Sequence, residues 1–337
     1  MIKRSFIQLA AVVLAMSIAN SSFAAAAVEK LPLKNKIVCP EYPPKGQHLQ
    51  GIASCGKYIY WVFNKTLVKT DIAGKLLKKV PLHPEAGKRV HGGSPALLDK
   101  LYVPYCASGF NKRLNGAPSQ NYVQLYDLDL NYIKSIPVPE VEYGAGAVTT
   151  DGKHFFIAGG RPADMPGNTI YEYSGDFRLL KKHHLSFNTF KGIQTLAFDG
   201  RSFYAGGYGS DYMTYRISRD FKSIDYLDLR SEVGLTALKG SGMLVARIGL
   251  DAGKREETFA GTVNIAQHLL NTAVIELDRQ GNVFFENNPI TLPALQSRLR
   301  EKKSQLTILR CPENVNLAKI VEIQVFICGK YIIEYCK

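Results

Sequence analysis

The chain has 337 residues, 46% of them hydrophobic and 21% charged, with a formal net charge of +13. That apolar content excludes a disordered chain. Beyond the first two dozen residues no apolar run approaches the roughly 20 residues that a membrane-spanning helix needs. The basic excess suits a solvated surface, or an anionic partner such as lipid, cell-wall polymer or acidic glycan.

Met1-Ile2-Lys3-Arg4 precedes an apolar stretch from Phe6 to Ile18 and a small-residue cluster from Ser21 to Ala27, the layout of a secretory signal peptide. Asn20-Ser21-Ser22 interrupts the apolar core, so cleavage near residues 24–26 is expected rather than retention as an anchor. The mature part, 27–337, is then periplasmic or extracellular, and no nucleic-acid partner is expected. Roughly 310 residues are many for one compact core but ordinary for a closed repeat array, so a single monomeric domain is predicted. All six cysteines (Cys39, Cys55, Cys106, Cys311, Cys328 and Cys336) fall in the mature part. An even count in an oxidising compartment reads as disulfides.

One strand-rich unit then recurs along the chain. Gly51 to Tyr60 aligns without a gap with Ala147 to Phe156 and with Thr195 to Tyr204, and Pro95 to Val103 and Ala237 to Gly242 follow the same plan. Each copy has a small or apolar strand, a turn carrying Asp or Gly, and a strand rich in aromatics. Third strands are predicted at 67–71, 123–127, 170–173, 213–216 and 273–278, followed by charged outer strands such as 75–80. Four short strands per 40 to 50 residues, roughly, mark the blades of an all-β propeller. Six blades are favoured over five. Helical periodicity is confined to Leu292, Leu295, Leu299 and Leu306, within a stretch from about 288 to 319 that fits the repeat poorly. At the C-terminus Cys328-Gly329-Lys330-Tyr331-Ile332 is identical to Cys55-Gly56-Lys57-Tyr58-Ile59. It is predicted to open a last unit whose outer strand comes from Lys36 to Cys39, and a disulfide from Cys39 to Cys328 or Cys336 would lock that seam.

Segments leading into the innermost strands surround a propeller's channel, so ligand contacts should recur just before each repeated Gly or Ala. His48 and His91 share one column there, Gln50 matches Gln194, and Tyr143, Lys191 and Glu232 occupy the remaining lead-in segments. Either histidine could act as general base, or both could bind one divalent metal on the channel axis with Glu232, Glu142 or Tyr143 as a third ligand. Otherwise the imidazoles only brace neighbouring loops. His183-His184 lies on a predicted outer strand, where adjacent side chains face opposite ways. Gly159-Gly160 and Gly206-Gly207 read as close backbone approaches. Tyr102, Tyr105, Tyr204, Tyr208 and Tyr212 either stack on a ligand or fill space between blades.

His48-Leu49-Gln50-Gly51, Lys69-Thr70-Asp71-x-x-Gly74-Lys75 and Leu101-Tyr102-Val103 resemble the blades of the glutaminyl-peptide cyclotransferase propellers and the wider lactonase-like and NHL-like group. The resemblance spans the repeat grammar from about residue 45 to 280, implies the propeller fold, and carries over Gln50 as a channel residue. It brings no catalytic signature, and His48 and the long insertion from Ser108 to Gln120 depart from the pattern. Three functions follow. The first is an exported binding protein holding a small polar ligand, peptide or glycan through His48, Gln50, His91, Tyr143, Gln194 and Glu232. The second is a cyclotransferase or lactonase-like enzyme using His48 or His91. The third is an interaction platform built on the loops 108–120 and 253–268.

Overall fold

Short runs of β-branched and aromatic residues, such as Tyr58-Ile59-Tyr60-Trp61-Val62-Phe63, alternate with turns built on Asp, Ser and Gly, and the chain folds accordingly into antiparallel hairpins. The computed structural model describes residues 34–336 apart from 41–46, 86–90, 108–119, 163, 164, 166, 209–212, 239–241, 251–255, 303, 313, 325, 326, 328 and 329. After β1 (Lys34–Val38) come blade 1, formed by β2 (Leu49–Ser54), β3 (Tyr58–Phe63), β4 (Thr66–Asp71) and β5 (Leu76–Pro81), and blade 2, formed by β6 (Ala96–Leu97), β7 (Leu101–Cys106), β8 (Asn121–Tyr126) and β9 (Tyr132–Pro137). Blade 3 contains β10 (Ala145–Thr150), β11 (Phe155–Gly159), β12 (Asn168–Tyr173) and β13 (Leu179–Leu185). Blade 4 contains β14 (Phe190–Phe198), β15 (Ser202–Tyr208), β16 (Thr214–Ser218) and β17 (Ile224–Leu227). Blade 5 has β18 (Leu235–Leu238), β19 (Gly242–Leu250) and β20 (Glu256–Val263), with β1 as its outer strand.

The innermost strands pack in turn, β2 on β6, β6 on β10, β10 on β14 and β14 on β18, and β18 returns to β2. The ring is narrow. A Cβ at Gly51 would lie 2.3 Å from Ser94 Cα, and one at Gly93 would lie 2.2 Å from Gly146 O. Ser94 also forms a parallel bridge with Ala147, so neighbouring blades touch backbone to backbone at the axis. Between blades lie the cores. Trp61, fully buried with Ile52, Phe63 and Ala246, donates from Nε1 to Thr70 Oγ1 at 3.0 Å. Burying a side chain of that size contributes on the order of 3 kcal/mol, and the hydrogen bond removes the cost of hiding its N–H. Tyr102 and Tyr204 are buried between blades, Tyr102 against Phe155 with ring centroids 4.5 Å apart, and Tyr105 is fully buried beside Tyr122 of its own blade, so these three are packing residues.

The turn between third and fourth strands repeats closely. Asp71, Asp127 and Asp278 each accept two backbone N–H groups through Oδ1, while Ser174 and Ser218 use Oγ at the same place. Three residues later the backbone is left-handed, with φ between +60° and +85° at Gly74, Leu130, Phe177, Phe221 and Gly281. A non-glycine there costs about 1–2 kcal/mol. Leu130 and Phe177 offset it by plugging their side chains into the core.

Among the described residues six sheets are present, in line with the repeat count, and five of them form the ring. The sixth sheet has order β23-β22-β21-β24-β25, from β21 (Thr272–Leu277), β22 (Val283–Phe285), β23 (Asn288–Pro289), β24 (Leu306–Pro312) and β25 (Lys330–Cys336). Here β24 runs parallel to both β21 and β25. Parallel neighbours need long crossovers, which α1 (Leu292–Lys302) and α2 (Leu317–Gln324) supply. Leu295, Leu299, Ile320 and Ile323 of these helices pack on Ile275 and Leu309. The predicted helix is therefore found, ending before Leu306, which starts a strand instead. Leu306 and Ile308 join the core of blade 4 with Tyr215, Ile217 and Tyr226, so this sheet docks on the outside of the ring.

Three expectations are corrected. The N-terminal strand does not complete a C-terminal blade: Val38 pairs with Phe259 of β20, while Tyr331 and Ile332 pair with Thr307 and Ile308. A Cys39 disulfide to the C-terminus loses its supporting geometry, and no disulfide forms among Cys39, Cys55, Cys106 and Cys311. Cys328 and the Cys336 side chain lie outside the described residues. The third strand of the fifth blade is β20, inside the stretch read as loop 253–268, and the strand read there at 273–278 belongs to the sixth sheet. The insertion at 108–119 also lies outside the described residues, as does Tyr212.

Candidate functional site

The lead-in segments of blades 3, 4 and 5 are each tied down by the polar residue that begins the third strand of the preceding blade. Asn121 donates to Val141 O (2.6 Å) and accepts from Ala145 N (3.0 Å). Asn168 donates to Phe187 O (2.7 Å) and accepts from Thr189 Oγ1 (2.9 Å). Thr214 donates to Leu229 O (2.7 Å) and meets Ser231 Oγ at 2.6 Å. These residues are buried, so those three loops are braced from behind.

His48 and His91 are brought to one place by Asn64, in the turn between β3 and β4. Its Oδ1 accepts from His48 N (2.7 Å), its N donates to His48 O (3.3 Å), and its O accepts from Gly92 N (3.0 Å). His48 is exposed and His91 half-buried. Asn64 carries no signal in the repeat and was invisible to column alignment. Among the described residues no three His, Cys, Asp or Glu side chains gather to hold a metal ion.

The two glutamines part company. Gln194 spends its amide on its own loop, Nε2 donating to Lys191 O (3.1 Å) and Gly192 O (3.2 Å). That clamps two successive left-handed residues, Lys191 (φ +67°) and Gly192 (φ +89°), against Gly159 O and Gly160. The glycine pair 159–160 is thereby a close backbone approach, as predicted, and Gly206 likewise abuts Ser231. Gln50, 6% exposed, keeps its Nε2 without a partner. Ser94 Oγ, in the lead-in to β6, and Glu232 Oε2, in the lead-in to β18, are likewise buried and unpartnered among the described residues. Gln50 sits at the head of β2, so these three atoms mark the corresponding place in blades 5, 1 and 2, which are neighbours in the ring.

Glu232 is embedded in positive charge. Its Oε1 accepts from Arg230 Nε (3.1 Å) and Nη2 (2.5 Å), and Arg247 of β19 donates to the Arg230 carbonyl. Desolvation pushes the Arg247 pKa down to about 10, against the upward pull of Glu232. Tyr143 is half-buried, and Phe190, 49% exposed, lies under the Lys191 ammonium, 4.9 Å from its ring centroid. Sequence reading missed Ser94, Phe190, Arg230 and Arg247, because none repeats between blades. It placed His183-His184 correctly: His183 Nε2 lies 2.7 Å from Glu172 and stacks on Phe221, while His184 is exposed on the other face. A separate cleft of about 230 Å³ on the sixth sheet is lined by two ion pairs, Lys302 with Glu286 and Arg310 with Glu276, so its charges are already matched.

No protein-family model and no curated protein matches the chain. Among solved structures it is similar to a Bacteroides caccae protein of unknown function, with TM-score 0.39 and 13% identity over 60% of this chain and 72% of that one. It is also similar to the Pan2 WD40 domain of Neurospora crassa, with TM-score 0.35 and 8% identity over 64% and 75%. A chain of the mitotic checkpoint complex gives TM-score 0.36 and 10% identity over 66% and 69%. The propeller assignment rests on this chain's own sheets, and these likenesses assign neither ligand nor activity.

Proposed function

We propose that this is an exported binding propeller that holds a small polar ligand, peptide or glycan at the mouth of its channel. The observation that carries the reading is the trio of buried, unpartnered polar atoms on adjacent blades, Gln50 Nε2, Ser94 Oγ and Glu232 Oε2. Leaving such groups unsatisfied costs about 1–3 kcal/mol each, a cost that a ligand or ordered water removes. Gln50 Nε2 calls for an acceptor and Glu232 Oε2 for a donor, so the ligand presents both, as an amide or a sugar hydroxyl does. The strained Lys191-Gly192 bulge and exposed Phe190 at the same mouth fit a site for planar or ring-bearing groups.

The test is a thermal-shift and calorimetric screen of dipeptides, tripeptides and oligosaccharides. A compound that stabilises the parent should lose affinity about tenfold or more with Gln50→Ala and with Glu232→Gln, both variants remaining folded. Binding that survives both substitutions unchanged would place the ligand elsewhere and refute the reading.

A further inference from the structure

Among the described residues, eleven large hydrophobic side chains are exposed, and seven of them belong to blades 1 and 2. They are not scattered. In an antiparallel blade, the turn joining the first two strands and the turn joining the last two lie at one end, and the lead-in segment lies at the other. The tips of those turns can be compared blade by blade. At the first turn the tip residues are Cys55, Leu98, Asp151 and Asp199 in blades 1 to 4; at the second they are Ile72, Leu128, Gly175 and Arg219. Blades 3 and 4 thus have the polar or small tips expected of solvated turns, whereas Ile72, Leu98 and Leu128 are 54%, 47% and 42% exposed. The first two residues of β5 and of β9, which follow these tips, are exposed and apolar as well.

The two blades present one continuous surface. Tyr60 of blade 1 donates to Leu128 O (3.0 Å), Lys69 pairs with Asp129 (2.8 Å), and Lys78 reaches Asn131 (2.8 Å). The charge on this end is positive. Exposed Asp99 and Asp129 are each matched by a lysine, Asp71 and Asp127 accept backbone N–H groups of the same turns, and Lys57, Lys75 and Lys134 stand exposed beside the tips. Apolar tips that project from a rigid fold, rimmed by lysines, match the boundary of an anionic bilayer: the tips enter the acyl region while the ammoniums stay at the headgroups.

We propose that the turn-tip end of blades 1 and 2 docks on the surface of an anionic lipid bilayer. Because the lead-in segments lie at the opposite end, a docked propeller holds its channel mouth away from the lipid. The inference stands independently of the ligand reading.

The test is flotation of residues 27–337, which contain every described element, with vesicles of phosphatidylglycerol and phosphatidylcholine, and with phosphatidylcholine alone. The parent should float with the mixed vesicles at low salt, be released by high salt, and stay behind with the neutral vesicles. Ile72→Ser and Leu128→Ser should each weaken binding about tenfold. Lys75→Glu and Lys134→Glu should each weaken it about fivefold. Leu180→Ser, an exposed control in blade 3 beside the small tip Gly175, should change nothing. Melting temperatures of these surface variants should match the parent, so a loss of flotation reports the surface. Failure of the parent to float with the anionic vesicles, or equal flotation of the tip variants, overturns the proposal. So does a parent that is dimeric by light scattering, turns monomeric on Ile72→Ser, and never floats, since a second copy would then cover the surface.

Discussion

Gly51→Ala tests the closeness of the ring. The new Cβ would lie 2.3 Å from Ser94 Cα, 2.7 Å from Pro95 Cδ and 2.8 Å from Ser94 Cβ. Carbon atoms rest about 3.5–4.0 Å apart, so blades 1 and 2 must separate by more than an ångström at the axis. Neither neighbour can swing aside, since one is backbone and another a proline ring. Overpacking of this kind costs about 1–3 kcal/mol, and a rigid neighbour puts it at the upper end. Alanine recovers about 0.4–1 kcal/mol by restricting the unfolded chain. The net expectation is a loss of about 2 kcal/mol. Gly175→Ala is the matched control, because its nearest neighbour is Lys153 O at 3.4 Å, and it should be neutral or slightly stabilising. Urea denaturation followed by circular dichroism reads both, a lower midpoint at constant slope reporting stability alone. A Gly51→Ala unfolding free energy within about 0.5 kcal/mol of the parent's would mean inner strands farther apart than a five-bladed ring requires, and would refute the architecture's tight axis.

Two further expectations concern groups outside the site. Alkylation without reductant should label Cys55 in the native protein and add Cys39, Cys106 and Cys311 only on unfolding, as their burial dictates; a thiol among these four that stays unlabelled until reduced would reveal a bridge. The backbone N–H of Asn131 holds the Asp127 carboxyl below the usual carboxylate range, and the Asn282 amide does the same for Asp278. Their folded values lie below the unfolded value of about 4, so the stability they add is fully present above that pH and fades as pH falls through the folded values. Asp127→Ala should therefore lower the urea midpoint at pH 7 and progressively less toward pH 2; an unchanged gap would contradict the turn's role.

Blades 1 to 4 are legible in the sequence because strand, Asp or Gly turn and aromatic strand recur with their spacing intact. The fifth misleads for a physical reason. Thr272–Leu277 followed by Asp278 and Gly281 has the same strand-turn grammar as Thr66–Asp71 followed by Gly74, yet it sits in a mixed sheet. Local pattern decides that a segment is a strand and where it turns; the partner is chosen by the surfaces left uncovered. Identical peptides show this directly. Tyr58 and Ile59 pair antiparallel in blade 1, while Tyr331 and Ile332 pair parallel beside β24. The recurring columns set Gln50, His48, His91 and Glu232 on lead-in segments as candidates, without saying what each touches. Gln194 matches Gln50 in sequence and is consumed by its loop, whereas Asn64, Ser94 and Arg247 lack counterparts and needed coordinates to be seen.

The seam between β1 and β20 gives the chain an order of events. Val38 must wait for Phe259, so the strand made before every blade is among the last to find its place. Until more than two hundred further residues have been made, the ring is an open arc with a bare strand at its end, the kind of edge that recruits other chains. The same wait keeps the ring from closing early, and once closed it is fastened by a strand that precedes every blade in the sequence.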